Sequence, residues 1–358
     1  MSLDELRHQI DQIDHELLEI LRRRAEVSRQ IGALKAGQGR GTYDPQREAQ
    51  LLERLTANDL SPLTPQAVRA IYREIISVSR SLQRPLVVAF LGPEHTFSHL
   101  AALRHFGANC DFQPLSAIED VFRSVERGNA DVGLVPIENA IQGVETRSLD
   151  YLVNTSLSIC AEAYVDVHIC LLATGELHQI QRVHSHPQPL AQCRQWLHER
   201  LPEAVLVPES STSAAAAAAA EAQDPAVAAL ATAQAAEFYG LRILAENVED
   251  QPNNRTRFFA IGHGQPGPTG RDKTSVLFTT RHRSGALAAA LVPLSAHQVN
   301  LTLIQSRPAP ASLQGPYFFY VDLEGHQDEP MMRAALDGLR EQCQTVKVLG
   351  SYPAAPTA

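Results

Sequence analysis

Apolar residues change their spacing once along the chain, near Leu86, and this change constrains the fold more than any other feature. Up to Leu82 they recur every three or four residues, which predicts amphipathic helices. From Leu86 onward, short apolar runs of strand length alternate with helical patterns, which is typical of an α/β sheet. Because 358 residues also exceed one ordinary core, the sequence predicts two or three domains.

The N-terminal segment is predicted to be helical. Its longest helix runs from Leu3 to about Ala36. Asp44–Pro45 and Thr64–Pro65 each have the pattern of an N-cap followed by a first-turn proline, so they are expected to open a second and a third helix. The stretch "GQGRG" at 37–41 lacks the GK[ST] ending of a phosphate loop and is expected to be a flexible connection.

The last 85 or so residues predict a different unit. After the turn-rich stretch 262–272, strand-like runs alternate with helical segments that begin at Ser284 and at about Glu329. The strand-like runs are "TSVLFTT", "VNLTLIQSRP", "PYFFYVDLEG" and "TVKVLGSYP". The resulting order, β-α-β-β-α-β, is that of the ferredoxin-like unit.

Composition argues against several classes of protein. A formal net charge of −9 disfavours a nucleic-acid partner, because duplex binding depends on a broad basic surface. The apolar runs are too short to span a bilayer, and the N-terminus has no signal-peptide core. Five cysteines are scattered without a CxxC pair, as expected for free thiols in a reducing compartment. The sequence therefore predicts a cytoplasmic protein with no membrane segment.

Charged and polar side chains share the apolar faces of the predicted helices. Arg24 lies on the seven-residue apolar repeat that begins at Leu3, and Lys35 is about 20° away around the helix axis. Each cation taken singly has a simpler interpretation, a surface residue whose stem covers apolar area. Because buried charges without partners are costly, the whole set instead predicts a polar pocket for a ligand with two negative charges. The other two helices add polar groups to their inner faces at Asp44, Arg47, Glu48, Ser79 and Gln83.

The length of the apolar stripe on the first helix predicts pairing of two chains. Two shorter helices cannot easily cover it, so a homodimer or higher homo-oligomer is expected. Arg7 lies about 26 Å from Arg24 along a straight helix and cannot reach the same small ligand within one chain. An antiparallel partner could bring a second Arg7 to that pocket.

These residues resemble the bifunctional chorismate mutase/prephenate dehydratase family, and the resemblance extends through essentially all 358 residues. It implies a pericyclic rearrangement of chorismate to prephenate, without a nucleophile or cofactor, promoted by conformational restraint and placed charge. Lys35 and Gln83 would be donors to the breaking ether oxygen, and Glu48 would need to be protonated or hydrogen-bonded to serve beside it. The mutase pocket would be lined by Arg7, Arg24, Lys35, Asp44, Arg47, Glu48, Ser79 and Gln83, with Arg7 arriving from the other subunit.

The central segment resembles prephenate dehydratase, whose two lobes resemble those of periplasmic binding proteins. The motifs that carry this resemblance are "GPEHTFSH" at 92–99, "PIEN" at 136–139, "SHPQPLAQC" at 185–193, "STSAA" at 211–215 and "TRF" at 256–258. Each polar residue also has the simpler interpretation of a turn or an N-cap, and Ser211, before an alanine-rich helix, is expected to be both a cap and part of an anion site. The resemblance implies donors around an anion at Ser98, Asn139, Ser185, Gln192, Ser211, Thr212 and Thr256.

Thr256 is the implied catalytic residue of the dehydratase segment. Converting prephenate to phenylpyruvate removes carbon dioxide and hydroxide from opposite ring carbons, and the hydroxide needs a proton. A threonine hydroxyl is too weak an acid alone, so Arg257 is expected to raise its acidity or to hold a substrate carboxylate. Phe258 is expected to return the chain to the core and Arg255 to be solvated. The alternative is a solvent-facing "NRTR" turn.

The C-terminal segment resembles an ACT regulatory domain through "SGAL" at 284–287 and "NLTLIQSRP" at 300–308. Such domains pair and bind an amino acid between them, here by implication phenylalanine. Gly285, Ala286 and Leu287 would form a turn beside the effector, with Asn300 and Leu301 opposite on the paired domain. The full implied effector site comprises Gly285, Ala286, Leu287, Asn300, Leu301, Gln305, Ser306, Arg307 and Pro308.

Two residues depart from the family pattern. His95 stands where the dehydratase motif usually has glycine, and is expected to alter a tight loop. Gln305 replaces the usual glutamate, keeping its size and losing its charge.

His184 and His186 alternate like metal ligands, but no third ligand is evident, so no metal is expected.

The sequence thus predicts a multidomain protein with an all-α chorismate mutase domain at 1–84, a two-lobed α/β dehydratase domain at 86–265 and a ferredoxin-like ACT domain at 272–358. Its predicted function is the conversion of chorismate to prephenate and of prephenate to phenylpyruvate, with feedback regulation by phenylalanine. The alternative is a non-catalytic amino-acid sensor built on the same core and ACT domain. The polar residues on the three helices favour the enzyme, because a sensor need not keep a pericyclic pocket.

Overall fold

The computed structural model describes residues 2–38 and 41–355, and it divides into two compact units. The first unit consists of the chain up to Val87 together with Phe106–Asp111. The second consists of Val88–His105 and the chain from Phe112 onward. A short segment of the predicted dehydratase domain, Phe106–Asp111, therefore belongs to the first unit.

The helices of the first unit are α1 (Leu3–Gly37), α2 (Pro45–Thr56) and α3 (Pro65–Ser81). Asp44 accepts the backbone N–H of Arg47 at 3.0 Å, and Thr64 accepts that of Ala67 at 3.1 Å. Both side chains satisfy N–H groups that a helix start leaves without partners, so the predicted starts of α2 and α3 are confirmed. The predicted connection at 37–41 includes Gly39 and Arg40, which lie outside the described residues.

Helices α1 and α3 approach each other closely at Gly32. A Cβ atom on Gly32 would lie 2.8 Å from the Cβ of Gln83, so only glycine permits this approach. Most of the apolar stripe of α1 is exposed within the described chain. Its exposed members are Leu3, Leu6, Ile10, Ile13, Leu17, Leu18, Ile20, Val27, Ile31 and Leu34.

The first sheet of the second unit has the strand order β2-β1-β3-β11-β5, with β4 on β3. β1 and β3 are parallel, whereas β11 is antiparallel to both of its neighbours. Its elements are β1 (Val87–Leu91), α4 (Phe97–Phe106), β2 (Asp111–Leu115), α5 (Ile118–Glu126), β3 (Val132–Asn139), β4 (Gly143–Val144), α6 (Thr146–Asn154), β5 (Ser158–Asp166) and β11 (Arg255–Gly262).

The second sheet has the strand order β10-β6-β9-β7-β8. The chain leaves the first sheet after β5 and returns to it at β11, so two lobes are joined by two crossings, and the predicted two-lobed α/β segment is observed. The second lobe contains β6 (Cys170–Ala173), a 3₁₀ turn (Leu177–Gln179), β7 (Arg182–Ser185), α7 (Pro187–Gln192), α8 (Arg194–Arg200), β8 (Val205–Pro208), α9 (Thr212–Ala222), β9 (Val227–Ala231), α10 (Ala233–Tyr239) and β10 (Arg242–Ala245).

The C-terminal segment has the predicted β-α-β-β-α-β order. It comprises β12 (Asp272–Thr279), α11 (Ala286–Ala296), β13 (Leu301–Pro308), β14 (Tyr317–Glu324), α12 (Pro330–Gln342) and β15 (Thr345–Pro353). Its antiparallel sheet has the order β13-β14-β12-β15, which is ferredoxin-like, and a core that includes Val276, Leu294 and Leu336. Helix α11 begins two residues later than predicted, because Gly285 caps it with a left-handed φ of 77°.

The C-terminal segment is not a separate compact unit, since it is grouped with both lobes. At Gly350 on β15 there is no room for a Cβ atom against the backbone of Ile159 on β5. The two sheets are therefore in close contact along β5 and β15. Among the described residues, no helix combines the length and the apolarity that a bilayer crossing requires.

Candidate active sites

A cleft of about 430 Å³ lies between the two lobes of the second unit and is called the inter-lobe cleft below. The first lobe contributes side chains from the β1–α4 loop, the end of β3 and the start of β11. The second lobe contributes side chains from α7 and from the N-terminus of α9. The predicted residues that line it are Ser98, Asn139, Gln192, Ser211, Thr212, Thr256 and Phe258.

Asn139 holds the hydroxyl of Thr256 in this cleft. The Asn139 Nδ2 group donates to Thr256 Oγ1 at 2.9 Å and to Asn254 Oδ1 at 2.8 Å. Its Oδ1 accepts the backbone N–H groups of Ile141 and Gln142, both at 3.1 Å, which fixes the amide orientation. Because Thr256 Oγ1 accepts a hydrogen bond, its own proton is available to a ligand in the cleft.

Arg257 does not enter the inter-lobe cleft, which corrects the prediction that it raises the acidity of Thr256 or holds a substrate carboxylate. Successive residues of a strand point to opposite faces, so Arg257 faces away from Thr256. Its guanidinium is buried between two carboxylates, with Nη2 2.7 Å from Glu162 Oε2 and Nη1 paired with Asp322. Tyr352 adds an oxygen 3.2 Å from Nη2. Arg257 therefore belongs to a polar cluster between β11 and the C-terminal sheet.

Two further predictions are corrected in the same region. Ser185 is fully buried and donates to the Leu230 carbonyl at 2.7 Å, so it bridges β7 and β9 and does not line the cleft. Arg255 is not freely solvated. It lies 3.4 Å from an Asp166 carboxylate oxygen and 4.6 Å from the ring centroid of Tyr164.

The N-terminus of α9 presents hydrogen-bond donors to the cleft. Ser211 accepts the Ala214 N–H at 3.0 Å, so it is an N-cap and a cleft residue at once, as predicted. Such a terminus favours an anion, because its N–H groups and its dipole point outward. Gln192 lines the same cleft, and its Nε2 group is buried without a hydrogen-bond partner in the described structure. Both features suit a carboxylate ligand.

In the first unit, Arg24 and Gln83 converge on Ser79. Arg24 donates to the Ser79 hydroxyl and, at 3.4 Å, to the Ile75 carbonyl. Gln83 Nε2 donates to the Ser79 carbonyl at 3.2 Å, and its buried Oε1 has no partner in the described structure. Three residues predicted for the mutase pocket are thus brought together: Arg24 from α1, Ser79 from α3 and Gln83, which follows the C-terminal end of α3.

Glu48 on α2 is paired with Arg80, a residue that the sequence analysis missed. Arg80 Nη1 lies 3.0 and 3.3 Å from the two carboxylate oxygens. Burial raises the pKa of Glu48 and the nearby Asp44 adds to the rise, while Arg80 and Lys35 oppose it. The side chains of Arg7 and Arg47 are exposed, and Arg7 pairs with Asp4 at 3.6 Å.

Comparisons with known proteins identify the family of this chain. A family model for chorismate mutase type II matches residues 6–84, and one for prephenate dehydratase matches residues 88–266. The bifunctional chorismate mutase/prephenate dehydratase of Neisseria gonorrhoeae is 41% identical over 360 residues, and the alignment covers 99% of both chains. The chain belongs to the bifunctional chorismate mutase/prephenate dehydratase family.

Two further relatives agree with this family. The bifunctional chorismate mutase/prephenate dehydratase of Aquifex aeolicus is 42% identical over 359 residues, covering 99% of this chain and 98% of its own. A prephenate dehydratase of Arthrobacter aurescens, solved in complex with L-Phe, is 35% identical with a TM-score of 0.70, covering 76% of this chain and 92% of its own. The prediction of both enzymatic activities is confirmed, and the alternative of a non-catalytic sensor is not favoured.

The inter-lobe cleft also contains residues that the sequence analysis did not select. His186, inside the quoted "SHPQPLAQC" motif, lines the cleft in place of Ser185. Its Nδ1 accepts the Gln188 N–H at 3.3 Å, and burial lowers the pKa of His186. The proline after His186 was the signal that could have distinguished the two, because it marks His186 as the N-cap of α7, one residue beyond the end of β7. The other unselected lining residues include Gln142, Glu145, Thr146 and Gln188.

His95 links the lobes of the dehydratase segment. Its φ of 64° is the left-handed conformation that favours glycine, so the loop keeps a glycine-like shape despite the side chain. The ring stacks on Phe238 of the second lobe with 3.9 Å between centroids, and the His95 carbonyl accepts the Thr232 hydroxyl at 3.1 Å. The histidine thus makes an inter-lobe contact that glycine could not make.

The predicted effector residues do not meet within one chain. Gly285, Ala286 and Leu287 line a hollow of about 240 Å³ at the start of α11. Asn300 and Leu301 line a different hollow beyond the other end of that helix. Arg307 lines neither hollow and pairs with Asp150 of α6 at 3.0 Å, while Gln305, Ser306 and Pro308 lie with it on β13.

The described residues contain no group of three or more histidine, cysteine, aspartate or glutamate side chains that could hold a metal ion. Their five cysteines are free thiols.

Proposed function

We propose that Thr256 donates the proton that the leaving hydroxide of prephenate requires. The observation that supports this assignment is the 2.9 Å hydrogen bond from Asn139 Nδ2 to Thr256 Oγ1. A donor to Oγ1 stabilises negative charge as the hydroxyl proton departs, which is the task first assigned to Arg257. Asn139 therefore replaces Arg257 as the residue that polarises Thr256.

In this proposal the bond between the ring and the departing carboxyl group breaks, and its electron pair enters the ring. The ring carbon opposite then loses its C–O bond, and the hydroxide takes a proton to leave as water. Thr256 regains a proton from solvent after product release. The α9 N-terminus with Ser211 and Thr212, together with Gln192, is placed to bind a substrate carboxylate. Ser98 contributes a further donor from the first lobe.

We propose that the helical pocket of the first unit binds chorismate through Arg24, Lys35, Asp44, Arg47, Ser79 and Gln83, with Glu48 beside the breaking ether oxygen. Arg24 and Lys35 would neutralise the two substrate carboxylates, and Lys35 and Gln83 would donate to the breaking ether oxygen. Gln83 Oε1 has no partner in the described structure, so an amide rotation that turns Nε2 to the substrate breaks only one bond, to Ser79.

We infer that two copies pair through α1. The exposed stripe of that helix supports this inference, because leaving ten large apolar side chains in water is costly when a partner can cover them. An antiparallel copy would bring a second Arg7 toward the pocket that contains Arg24. Five free, scattered cysteines support a homodimer in the reducing cytoplasm.

We further propose that the C-terminal segment, residues 272–358, is an ACT domain that binds phenylalanine between two copies, with the mutase at 1–84 and the dehydratase at 86–265. The separation of Gly285 and Asn300 at opposite ends of α11 supports a site shared between chains. The Arthrobacter aurescens relative was solved with L-Phe. Gln305→Glu is expected to shift inhibition to lower phenylalanine concentrations, since a carboxylate makes stronger charge-assisted hydrogen bonds than an amide.

The decisive experiment follows chorismate to prephenate to phenylpyruvate with the purified protein, with and without phenylalanine. Asn139→Ala tests the proposed polarisation of Thr256, and Asn129→Ala, in the loop before β3, is the control. Asn139→Ala is expected to lower the dehydratase kcat by about 10²-fold or more while mutase activity persists. An unchanged dehydratase kcat in a folded Asn139→Ala protein would remove Asn139 from the mechanism.

A further inference from the structure

Arg80 is the only buried partner of the Glu48 carboxylate that the described structure shows. Its side chain is 4% exposed, whereas that of Glu48 keeps 21% of its surface exposed. One guanidinium nitrogen, Nη1, contacts both carboxylate oxygens, at 3.0 and 3.3 Å. Arg80 therefore fixes the orientation of the carboxylate and leaves part of it accessible to a ligand. A rigid buried cation does this better than a mobile surface one.

The short segment Phe106–Asp111, referred to below as the returning segment, holds Arg80 in turn. The second terminal nitrogen, Nη2, donates to the Phe106 carbonyl. The guanidinium also lies 5.9 Å from the Phe106 ring centroid and 5.8 Å from that of Tyr43. With both terminal nitrogens bonded and two aromatic rings alongside, Arg80 has little freedom to leave Glu48.

The returning segment is itself attached to α3 by backbone groups. The Asn109 N–H donates to Ser77 Oγ at 3.0 Å, and the Ala108 N–H donates to Glu74 at 3.1 Å. Gly107 has a left-handed φ of 76°, and a Cβ atom there would lie 2.5 Å from the Cβ of Ser77. The fit to α3 thus depends on glycine at this position.

We propose that the returning segment is part of the chorismate mutase site: it fixes Arg80, and Arg80 positions Glu48 for the substrate. Arg80 is a positioning residue that need not touch chorismate. The proposal rests on the proposed role of Glu48 in the mutase pocket. Its consequence is that a mutase fragment ending at residue 84 lacks a part of its own site, although the family model for the mutase ends there.

A double-mutant cycle in the full chain tests the connection between Arg80 and Glu48. Glu48→Gln and Arg80→Met are each expected to lower mutase kcat/KM by about 10-fold or more. The loss should be mostly in kcat, because the substitutions remove the oriented carboxylate and leave the other contacts that bind chorismate in place. The double variant is expected to be no worse than Glu48→Gln within about twofold, because Arg80 acts through Glu48. Arg80→Lys, which keeps the charge, should recover part of the loss. Arg54→Met, an exposed arginine on α2, is the control.

The outcomes of this cycle distinguish a failure of the Arg80 proposal from a failure of its premise, which is that Glu48 serves the mutase. Effects that multiply in the double variant would overturn the proposal, as would an unchanged rate in Arg80→Met while Glu48→Gln is impaired. An unchanged Glu48→Gln variant would instead refute the premise that Glu48 serves the mutase. Retained dehydratase activity and circular dichroism check that every variant is folded. The double variant adds a further check, because it has no carboxylate at position 48 that would be left buried without its arginine partner.

A glycine pair tests the returning segment directly. Gly107→Ala is expected to lower mutase kcat/KM by about threefold or more, because the methyl group pushes the segment away from Ser77. Gly128→Ala is the matched control: its φ of 72° imposes the same backbone strain, and a Cβ atom there meets nothing within 4 Å. Ser77→Ala, which removes the anchor of Asn109 without backbone strain, should act in the same direction as Gly107→Ala. Equal mutase activity in both glycine variants and in Ser77→Ala would overturn the proposal.

Discussion

Thr256 and Arg257 are neighbours on β11 but serve different parts of the molecule. Thr256 Oγ1 lies 2.9 Å from Asn139 Nδ2 in the inter-lobe cleft, whereas Arg257 Nη2 lies 2.7 Å from Glu162 on the other face of the sheet. The Arg257 partner Asp322 is on β14 of the C-terminal sheet. Strand β11 therefore carries the proposed proton donor, Thr256, and next to it Arg257, which forms an ion pair with the proposed regulatory domain.

The two chemistries are expected to be separable by single substitutions. Thr256→Val removes the proposed donor and should reduce dehydratase kcat by about 10²-fold or more, because a positioned acid contributes on that scale. Lys35→Met should do the same to mutase activity, since it removes a donor to the breaking ether oxygen. Each variant is the control for the other, and both rates are measured on one preparation. Loss of both activities in a folded single variant would contradict the assignment of the sites.

Arg257→Met is expected to act mainly on stability. It leaves the buried Glu162 and Asp322 carboxylates without their main shared cation, which costs about 3–5 kcal/mol when one member of a buried pair is removed. Urea unfolding measures the loss. Arg340→Met, which breaks an exposed pair with Asp337, should cost less than about 1 kcal/mol. A stable Arg257→Met protein with a raised KM for prephenate would show that Arg257 binds substrate after all.

Helix α6 provides a route between the C-terminal segment and the cleft. Its N-terminal residues Glu145 and Thr146 line the cleft, and Asp150 in its middle pairs with Arg307 of β13. Lys347 of β15 donates to backbone carbonyls at its C-terminal end, including that of Thr155 at 2.7 Å. The helix thus contacts the proposed effector domain at two points and the inter-lobe cleft at a third.

Asp150→Asn is therefore expected to weaken inhibition by phenylalanine. The midpoint of inhibition should rise about two- to fivefold, the scale of one partly exposed ion pair, with little change in dehydratase rate when phenylalanine is absent. Asp337→Asn, on the exposed face of α12 in the same segment, should leave the midpoint unchanged. If both variants respond alike to phenylalanine, α6 does not carry the signal.

Subunit mixing tests whether Arg7 acts across a dimer. Arg7→Ala and Arg24→Ala proteins should each lack mutase activity, because every site in either homodimer misses one cation. Exchange of subunits should restore about a quarter of the wild-type rate, since half of the dimers would then contain one intact site. Native mass spectrometry establishes that heterodimers form. Heterodimers without any mutase activity would place Arg7 outside the pocket.

The raised pKa of Glu48 predicts a pH dependence of stability. Burial, the largest cause, favours the protonated form, so the folded protein keeps this proton to higher pH than the unfolded chain does. Where the folded state binds more protons, stability falls as pH rises. The contribution of Glu48 is therefore full below its unfolded pKa, about 4.3, and is lost as pH rises toward the higher folded pKa. Glu48→Gln should flatten this slope in unfolding of the helical signal; an identical slope would contradict the shift.

The sequence by itself determined the elements whose signals are local. N-caps with first-turn prolines marked the starts of α2 and α3, because capping depends on residues three apart, and apolar alternation predicted the strands and order of the C-terminal segment. Strands β2, β4 and β10 were not predicted. β4 has only two residues, and the "DFQPL" of β2 contains a proline and polar residues, so pairing with neighbours had to override weak local preference.

Only the tertiary structure decided which polar side chains meet. The motifs "TRF" and "SHPQPLAQC" predicted the right strand and loop. Thr256 and His186 line the cleft, whereas Arg257 and Ser185 make contacts elsewhere. Strand alternation separates Thr256 from Arg257, and the end of β7 separates Ser185 from His186, yet which side becomes a cleft depends on lobes distant in sequence. For the same reason no local pattern could have placed Arg80 between Glu48 and the carbonyl of Phe106: the burial that pairs them exists only once remote segments pack together.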